Sequence, residues 1–353
     1  VIGSSAETER FLSDWRLTLG ELMAECHYDA VDEVLAHYGM KRHTESHEYT
    51  RAFVGDGMDV KRHADIPMSA FWVRSIYASD MASEADIHES ASVCHIYGQK
   101  VCAAESFTAD AIRKYTTKPA WSYHPGSLKP NADAALASGL NRFIIHCSTH
   151  QPEDKLVPGL ALSRFGQWFT RKETWADEAK CWTDYLSRSC AMMQQGRNVA
   201  DIAYFYAETQ NATSAFKLRR PDVPKGYSYD FVNRTIVNEV LVTEGNTLVA
   251  PTGARYSALF IDSEVFSITT QTLRSIARFA DAGVLIVGNE PRDYADLKGD
   301  KEEFDRLVKK IWHSGKRNVR SADEAETALR EAGIGPDAQW LPDTGADIRF
   351  VHR

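Results

Sequence analysis

Polar residues that could carry out chemistry stand at the ends of short apolar runs in the first half of the chain. Glu105 follows the run 100–104, and His146 follows the run 141–145. A carboxylate and an imidazole are groups that enzymes commonly use to move protons. The other candidates follow neighbouring runs or lie close to them in the sequence: His43, Glu45, His47, Glu48, Asp65, Phe71, Trp72 and His150.

Glu105 is the main catalytic candidate. In a (β/α) barrel the carboxyl ends of successive strands meet at one mouth, and the active site lies there. Glu105 follows an apolar strand, so it is predicted to act as an acid, a base or a nucleophile. The alternative is a carboxylate that only caps the next helix. A carboxylate, imidazoles and a tryptophan at such a mouth would suit a polar, neutral substrate such as a sugar.

The segment from His43 to Glu48 combines two carboxylates with two imidazoles. Glu45 and Glu48 could serve as a catalytic partner, as ligands for sugar hydroxyl groups together with His47, or as metal ligands. The spacing lacks the helical pattern that makes zinc motifs specific, and calcium is an equal alternative because it prefers oxygen ligands. A solvated charged loop would explain the same residues.

The aromatic and remaining polar candidates are predicted to hold the substrate. Phe71 and Trp72 could form a platform for a sugar ring, although a core aromatic pair would leave the same pattern. His146 and His150 could bind hydroxyl groups, with a satisfied polar core as the alternative. Asp65, which precedes the Phe71-Trp72 strand, is assigned to the substrate as well. No Gly-x-Ser-x-Gly sequence occurs, which disfavours acyl transfer by a serine.

Strand, loop and helix alternate up to residue 200. Helical spacing of apolar residues predicts an opening helix, which Ser13-Asp14 can cap and which Gly39 ends. Pro125 and Pro130 predict a loop, and Gly139 follows a helix at 132–138. The other predicted elements of this half are a strand at 40–44, a helix around 82–94, a short helix at 109–115 and a long helix at 175–195. This alternation predicts the C-terminal part of a (β/α)8-type barrel over residues 1–200.

A second pattern begins at residue 201. A strand at 256–262, a helix at 270–282 and a strand at 284–288 form a β–α–β unit of a parallel sheet. Residues 201–340 are therefore assigned to a flavodoxin-like α/β domain, in which Asp230 is taken to start a helix and Gly245 to lie in a hairpin turn. Gly-x-Gly-x-x-Gly turns are absent, so no nucleotide cofactor is expected. Residues 341–353 are predicted to start a following β-sandwich domain.

Composition and charge limit the classes of binding partner that are expected. The 353 residues carry a formal net charge of −8, and no basic cluster offsets it, which argues against nucleic acid and anionic membranes. The six cysteines occur singly, so free thiols are the expectation. No apolar run approaches the ~20 residues that span a bilayer. A soluble protein is expected, in the bacterial periplasm or cytoplasm, with oligomerisation open through the flavodoxin-like domain.

The chain resembles the bacterial α-L-rhamnosidases of glycoside hydrolase family 106. The matching text spans nearly the whole chain and includes Ala64-Asp65-Ile66-Pro67-Met68, Phe71-Trp72, Ala104-Glu105-Ser106-Phe107-Thr108, Gly139-Leu140-Asn141-Arg142-Phe143 and Tyr229-Asp230-Phe231-Val232-Asn233. The resemblance implies a central fragment of a large modular enzyme. It also implies inverting hydrolysis of terminal α-L-rhamnosyl residues on plant glycans by two glutamates, with calcium helping to hold the sugar. Carried over by position, Glu105 and Glu45 match the two family glutamates.

One residue departs from the family pattern. Relatives commonly read Pro-Met-Gly-Glu-Phe-Trp, whereas this chain reads Pro-Met-Ser-Ala-Phe-Trp and has Ala70 at the glutamate position. A methyl group cannot transfer a proton, so a carbohydrate-binding homologue without catalysis is one alternative. Another is a different barrel hydrolase, such as a family 42-like β-galactosidase.

Overall fold

The computed structural model of the chain describes residues 3–46, 55–73, 81–109, 121–163, 165–166, 169–340 and 345–353. These residues form a mixed α/β protein with two larger parallel sheets, which confirms the predicted class at that level. One sheet lies within residues 43–145 and contains Glu105, and the other lies within residues 202–320. No helix in these ranges is long and apolar enough to cross a bilayer.

Four parallel strands form the first sheet, and their order in space is their order along the chain. Parallel neighbours need a crossover connection, and helices supply it here. The strands are β1 (His43–Thr44), β2 (Ile66–Trp72), β3 (Ala103–Thr108) and β4 (Arg142–Ile145). The helices of this half are α1 (Ser5–Met23), α2 (Ala30–His37), α3 (Gly57–Lys61), α4 (Met81–Tyr97), α5 (Pro125–Ala137) and α6 (Ala179–Met193).

The two faces of this sheet differ in burial. Phe71 on β2 and Ala104 on β3 lie in an apolar core with Leu128 of α5 and Leu186 of α6. On the opposite face, Ile144 of β4 is 36% exposed. Among the described residues, helices therefore cover one face of the sheet, whereas Ile144 and Glu105 are partly exposed on the other.

Helix α4 is buried by both sheets. Its residue Ile87 lies in the core of the first sheet, whereas Val93 and Ile96 lie in a core with Phe231 of the second sheet. Small residues such as Ala82 and Ser90 allow close packing on several sides of the helix. The sequence predicted this helix, but its spacing did not show that two sheets share it.

Five parallel strands form the second sheet, in the order β14-β12-β10-β5-β6. They are β5 (Ile202–Phe205), β6 (Tyr229–Val232), β10 (Ala258–Ile261), β12 (Leu285–Val287) and β14 (Val319–Arg320). Smaller strands in this half are β7 (Val242–Glu244), β8 (Thr247–Val249), β9 (Arg255–Tyr256), β11 (Ser267–Ile268) and β13 (Asp293–Tyr294). Its helices are α7 (Ala212–Ala215), α8 (Thr270–Asp281), α9 (Lys301–Trp312) and α10 (Ala325–Glu331).

The edge strand β6 is covered by α4 rather than by another strand. The backbone N–H of Phe231 donates to Ser92 Oγ at 2.9 Å, and His95 Nδ1 lies 2.7 Å from Asp230 Oδ1. Burial opposes ionisation of Asp230, but the neighbouring His95 holds the pKa of this carboxyl below its usual value. Side chains of α4 thus satisfy groups that a bare sheet edge would expose to other chains.

Several predicted elements are confirmed and three local predictions are wrong. The 270–282 helix and the hairpin at Gly245 are present. Asp230, however, lies inside strand β6, because buried β-branched and aromatic neighbours extend the strand through it. Pro125 and Pro130 lie in α5, where Pro125 occupies the first turn.

The third error concerns the start of the opening helix. Ser4, not Ser13-Asp14, caps α1, because its side chain accepts the N–H of Glu7. A π-helical segment, Ala24–Asp29, joins α1 to α2, and Gly39 ends the run with φ 65°. The predicted helix at 109–115 falls mainly outside the described residues. Residues 345–353 contain no helix or strand, and the β-sandwich stays a prediction.

A buried ionic cluster lies beneath β2, between the two sheets. Lys61 is 0% exposed, and its Nζ lies 3.1 Å from Asp86 Oδ1 and 2.8 Å from Glu89 Oε1. Burial alone would lower the pKa of Lys61, but the two carboxylates raise it above the ordinary value. Gly57 makes room for this arrangement, since a Cβ there would lie 2.1 Å from the Glu89 carboxylate.

Asp56 extends the cluster to the second sheet and should make stability depend on pH. Tyr206 Oη donates to its carboxyl at 2.6 Å, and Asn233 Nδ2 donates at 2.7 Å. Burial, with the negative charges of Asp59 and Glu89, raises its pKa from 3.8 to about 8. The folded chain therefore holds a proton that the unfolded chain releases, and this stabilisation is complete below about pH 4 and lost as pH rises to about 8.

We expect the free energy of unfolding to fall as pH rises across this window. The Asp56→Asn variant carries no titrating proton at this position. Its free energy of unfolding should therefore fall less steeply with pH, by up to about 1.4 kcal/mol per pH unit. Urea unfolding at a series of pH values measures it, with the exposed Asp305→Asn as control. Parallel profiles for the wild type and Asp56→Asn would contradict the prediction.

Candidate active site

Glu105 lies in the middle of strand β3 rather than after its end. Its Cα pairs with Ala70 on β2 and with Ile144 on β4, so these three residues face the same side of the sheet. The Glu105 side chain is 28% exposed on the face that helices do not cover. A carboxylate on a central strand, open to solvent on one side, can meet a substrate without losing its rigid support.

Two side chains among the described residues lie next to the Glu105 carboxylate. Thr108 Oγ1 donates to Glu105 Oε1 at 2.5 Å, and His146 Nδ1 lies 4.0 Å from the same oxygen. His146 follows β4 directly, and its N–H donates to the carbonyl of Ser106 on β3 at 3.1 Å. His146 Nδ1 is buried without a hydrogen-bond partner, so it is available to a ligand that enters beside Glu105.

The backbone of β3 is irregular at Phe107. This residue has φ 67°, a left-handed conformation that costs a bulky residue of order 1–3 kcal/mol. Its ring is fully buried and packs against Phe71 at 5.1 Å and Phe143 at 5.5 Å between centroids. Aromatic packing therefore stabilises a strained strand two residues from Glu105.

Ala70 lies directly beside Glu105, on the neighbouring strand β2. It is 6% exposed, and its N–H donates to Asp86 Oδ2 at 2.9 Å. Neighbouring strands lie about 4.8 Å apart, so a longer side chain at position 70 would extend beside the Glu105 carboxylate. The methyl group of Ala70 leaves that place without a titrating group.

Comparison with known proteins assigns the chain to a family. The family model described as alpha-L-rhamnosidase, glycoside hydrolase family 106, matches residues 1–353. The chain belongs to family 106. This confirms the resemblance seen in the sequence.

Two relatives show how far the likeness of this family 106 chain extends. A rhamnosidase structure from Novosphingobium sp. PP1Y matches with a TM-score of 0.91 and 36% identity, covering 100% of this chain and 34% of that one. A curated protein of Formosa agariphila with the provisional name of a beta-glucuronidase is 33% identical over 356 residues, covering 100% of this chain and 28% of the relative. The family 106 chain thus spans about a third of the length of these relatives.

A third match is weaker. The structure of a GH42 beta-galactosidase has a TM-score of 0.49 and 12% identity over 81% of this chain. Similarity at this level does not bear on the function of the family 106 chain.

The structure brings some of the predicted residues to Glu105 and separates others from it. His146 is close, as described above. Glu45 follows β1 directly. Because β2 lies between β1 and β3, the Cα of Glu45 is about two strand spacings, roughly 10 Å, from β3. The Trp72 ring packs edge-on against Phe165 at 5.9 Å. Their roles stay predictions, and His47 and Glu48 lie outside the described residues.

Three other assignments need correction or receive no support. Phe71 is 4% exposed and packs in the core on the helical face, so it cannot be a sugar platform. Asp65 precedes β2, at the opposite end from the Glu105 level, and its carboxylate accepts the N–H of Arg42 at 2.9 Å. His150 is exposed in the loop after β4, and the structure shows no contact between it and Glu105.

Sequence reasoning missed Thr108 beside Glu105, and it missed a buried carboxyl group later in the chain, Glu173. Thr108 belongs to the motif 104–108 that the chain shares with its family. On a regular strand, however, a residue three positions after Glu105 would face the opposite side of the sheet. Glu173, in the segment after β4, has its pKa raised to about 7 by burial. Burial is a tertiary property, and no local pattern around Glu173 indicates it.

The electrostatics near β1 favour a neutral imidazole. Partial burial, with the charge of Arg142 across the sheet, lowers the pKa of His43. Among the residues that the structure describes, no group of three or more His, Cys, Asp and Glu side chains could hold a metal ion. Calcium therefore stays a prediction, because His47 and Glu48, two residues of the candidate metal cluster, lie outside the described residues.

Proposed function

We propose that this chain supplies part of the active site of an α-L-rhamnosidase that releases terminal α-L-rhamnosyl residues from plant-type glycans. The observation that carries the proposal is the position of Glu105 on the open sheet face, 4.0 Å from His146, in a chain of family 106. Neutral sugars need hydroxyl-binding groups near the carboxylate, and the unpartnered Nδ1 of His146 is one.

The proposed reaction is hydrolysis with inversion. One carboxyl group donates a proton to the leaving glycosidic oxygen as the bond to the anomeric carbon breaks, and another carboxylate takes a proton from the water that attacks this carbon. Glu105 is one member of the pair. Glu45 is the remaining candidate for the other, because Ala70 stands where relatives commonly carry a glutamate. Inverting enzymes hold the two groups roughly 6.5–9.5 Å apart, which two side chains reaching from β1 and β3 can adopt.

The proposal also includes an assignment of the domains around Glu105. We assign residues 1–200 to the C-terminal part of a (β/α)8-type barrel, because consecutive parallel strands pack one face against helices in the part of the chain that the structure describes. The open face would then be the barrel interior. Residues 201–340 would be a flavodoxin-like domain with a structural role, available for contacts between subunits, and residues 341–353 would lead into a β-sandwich.

Hydrolysis of 4-nitrophenyl α-L-rhamnopyranoside by the whole natural protein tests the proposal. We expect release of nitrophenol, and β-L-rhamnose as the first anomer detected by proton NMR. Binding of rhamnose without release of nitrophenol would favour the second candidate, a carbohydrate-binding homologue, for which Ala70 is the specific observation. Cleavage of the corresponding 4-nitrophenyl β-galactoside, without cleavage of the rhamnoside, would favour the family 42-like β-galactosidase alternative.

The second sheet should bind no nucleotide. Its strand–helix turns lack the glycine-rich sequences that cradle phosphate groups. We expect titration with flavin mononucleotide or NAD to give neither fluorescence quenching nor heat. Saturable binding with a dissociation constant in the micromolar range or below would contradict the assignment.

A further inference from the structure

We infer that Thr108 is a positioning residue, which a bulge at Phe107 turns toward Glu105 so that its hydroxyl group fixes the carboxylate for catalysis. The inference rests on the proposed function in taking Glu105 as a catalytic carboxylate. It goes further because it assigns a role to a residue and to a strained backbone position that the proposed function leaves unexplained.

The register of the two central strands shows the bulge. Ala70 pairs with Glu105, and Trp72 pairs with Thr108, so β2 advances two residues while β3 advances three. The N–H of Val73 donates to the Thr108 carbonyl at 2.7 Å, which closes the ladder again after the extra residue. Bulges of this kind redirect side chains and are frequent next to active sites.

The bulge changes which side of the sheet Thr108 faces. Residues three apart on a regular strand lie on opposite faces. The left-handed φ of 67° at Phe107 adds the half-turn that places the Thr108 hydroxyl on the Glu105 side, where it donates to Oε1 at 2.5 Å. Without the bulge, this contact could not form.

The position is built to be rigid. Thr108 is 1% exposed, so its hydroxyl group has little access to water and Glu105 is its partner. The Phe107 ring holds the strained backbone from the core side, against Phe143 and Phe71. A rigid hydroxyl donor fixes the orientation of the carboxylate, so that the carboxylate does not have to reorganise during the reaction.

In the part of the chain that the structure describes, no other side chain replaces this donor. His146 Nδ1 is 4.0 Å from Glu105 Oε1, beyond hydrogen-bond distance, and the side chain of Ala70 has no polar atom. The nearby hydroxyl of Ser106 donates to the Ala104 carbonyl at 2.7 Å. Ser106 therefore provides a matched control, as a buried hydroxyl on the same strand that does not contact Glu105.

Three variants of the whole natural protein test the inference. Thr108→Val keeps the shape and removes the hydroxyl group, Thr108→Ser keeps the hydroxyl group, and Ser106→Ala is the control. With aryl rhamnoside, we expect Thr108→Val to lower kcat about 10–100-fold with KM within about twofold, as loss of a hydrogen bond to a charged group predicts.

Thr108→Ser should restore kcat to within about threefold of the wild type, and Ser106→Ala should leave kcat unchanged. A Thr108→Val variant with wild-type kcat, or a Thr108→Ser variant as impaired as Thr108→Val, would overturn the inference.

A readout without substrate separates this inference from the proposed function. Infrared difference spectra at one fixed pH follow the carboxylate stretching band of Glu105, identified as the band that Glu105→Gln removes. In Thr108→Val we expect this band to change frequency, because the carboxylate loses the hydrogen bond from Thr108 Oγ1. An unchanged frequency overturns the role of Thr108 whether or not the protein hydrolyses rhamnosides. A shifted band in a protein without rhamnosidase activity supports the contact and refutes only the proposed function.

Discussion

Glu105→Gln should lower kcat for aryl rhamnoside by a factor of ~10²–10⁴ and change KM little. The amide keeps the size of the side chain and its place on β3, and it can still accept a hydrogen bond from Thr108 Oγ1. It cannot accept a proton from water or donate one to a leaving oxygen. The loss should therefore appear in the chemical step rather than in substrate binding.

A matched control isolates this effect. Glu244 is an exposed glutamate on the hairpin of the second half, where it pairs with Arg255 at 2.7 Å. Glu244→Gln should retain wild-type kcat, because a surface ion pair contributes little. Urea unfolding of both variants checks that they fold alike. A Glu105→Gln variant with wild-type kcat would show that this carboxylate is not part of the chemistry.

Ala70→Glu should raise kcat by about 10²–10⁴, the usual contribution of a general acid or base. Position 70 pairs with Glu105 across β2 and β3, and both face the open side of the sheet. Two carboxyl groups at this separation cannot both ionise freely, so one would hold a proton at a pH where the other has lost it. That division supplies an acid beside a base.

Ala70→Gln is the control, because it adds the same volume without a titrating proton. We expect Ala70→Gln to match the low rate of the wild type, and rhamnose affinity to change little in either variant. Equal kcat in all three proteins would mean that position 70 is structural and that Glu45 and Glu105 carry the chemistry. Impaired binding in both variants would indicate that the pocket cannot accept the longer side chain.

Local patterns predicted the elements well where burial and sequence agree. The helix at 270–282 has Leu273, Ile276 and Phe279 buried at helical spacing, and the structure shows it. Asp230 misled the prediction because an aspartate favours helix starts, yet His95 and Tyr256 satisfy it inside a buried strand. A partner 135 residues away leaves no trace in a local window.

The candidate site was predictable only in part. Apolar runs followed by polar residues singled out Glu105 and His146, which lie 4.0 Å apart, although Glu105 lies within β3 and not after its end. The same argument misassigned Phe71, since alternation along β2 turns this ring into the core, opposite to Ala70. The left-handed conformation of Phe107 had no signal, because glycine or asparagine usually occupies such positions and this residue depends on tertiary packing.

The sharing of α4 restricts how this protein can be divided or recombined. Val93 and Ile96 complete one core while Ile87 completes the other, and Ser92 covers the edge of β6. A gene fragment that encodes residues 201–340 alone would lack the helix that shields this edge, and a foreign domain fused in its place would have to reproduce the same contacts. The second sheet therefore needs helix α4, which also belongs to the core of the first sheet. For this reason the second half of the chain cannot be exchanged without the helix.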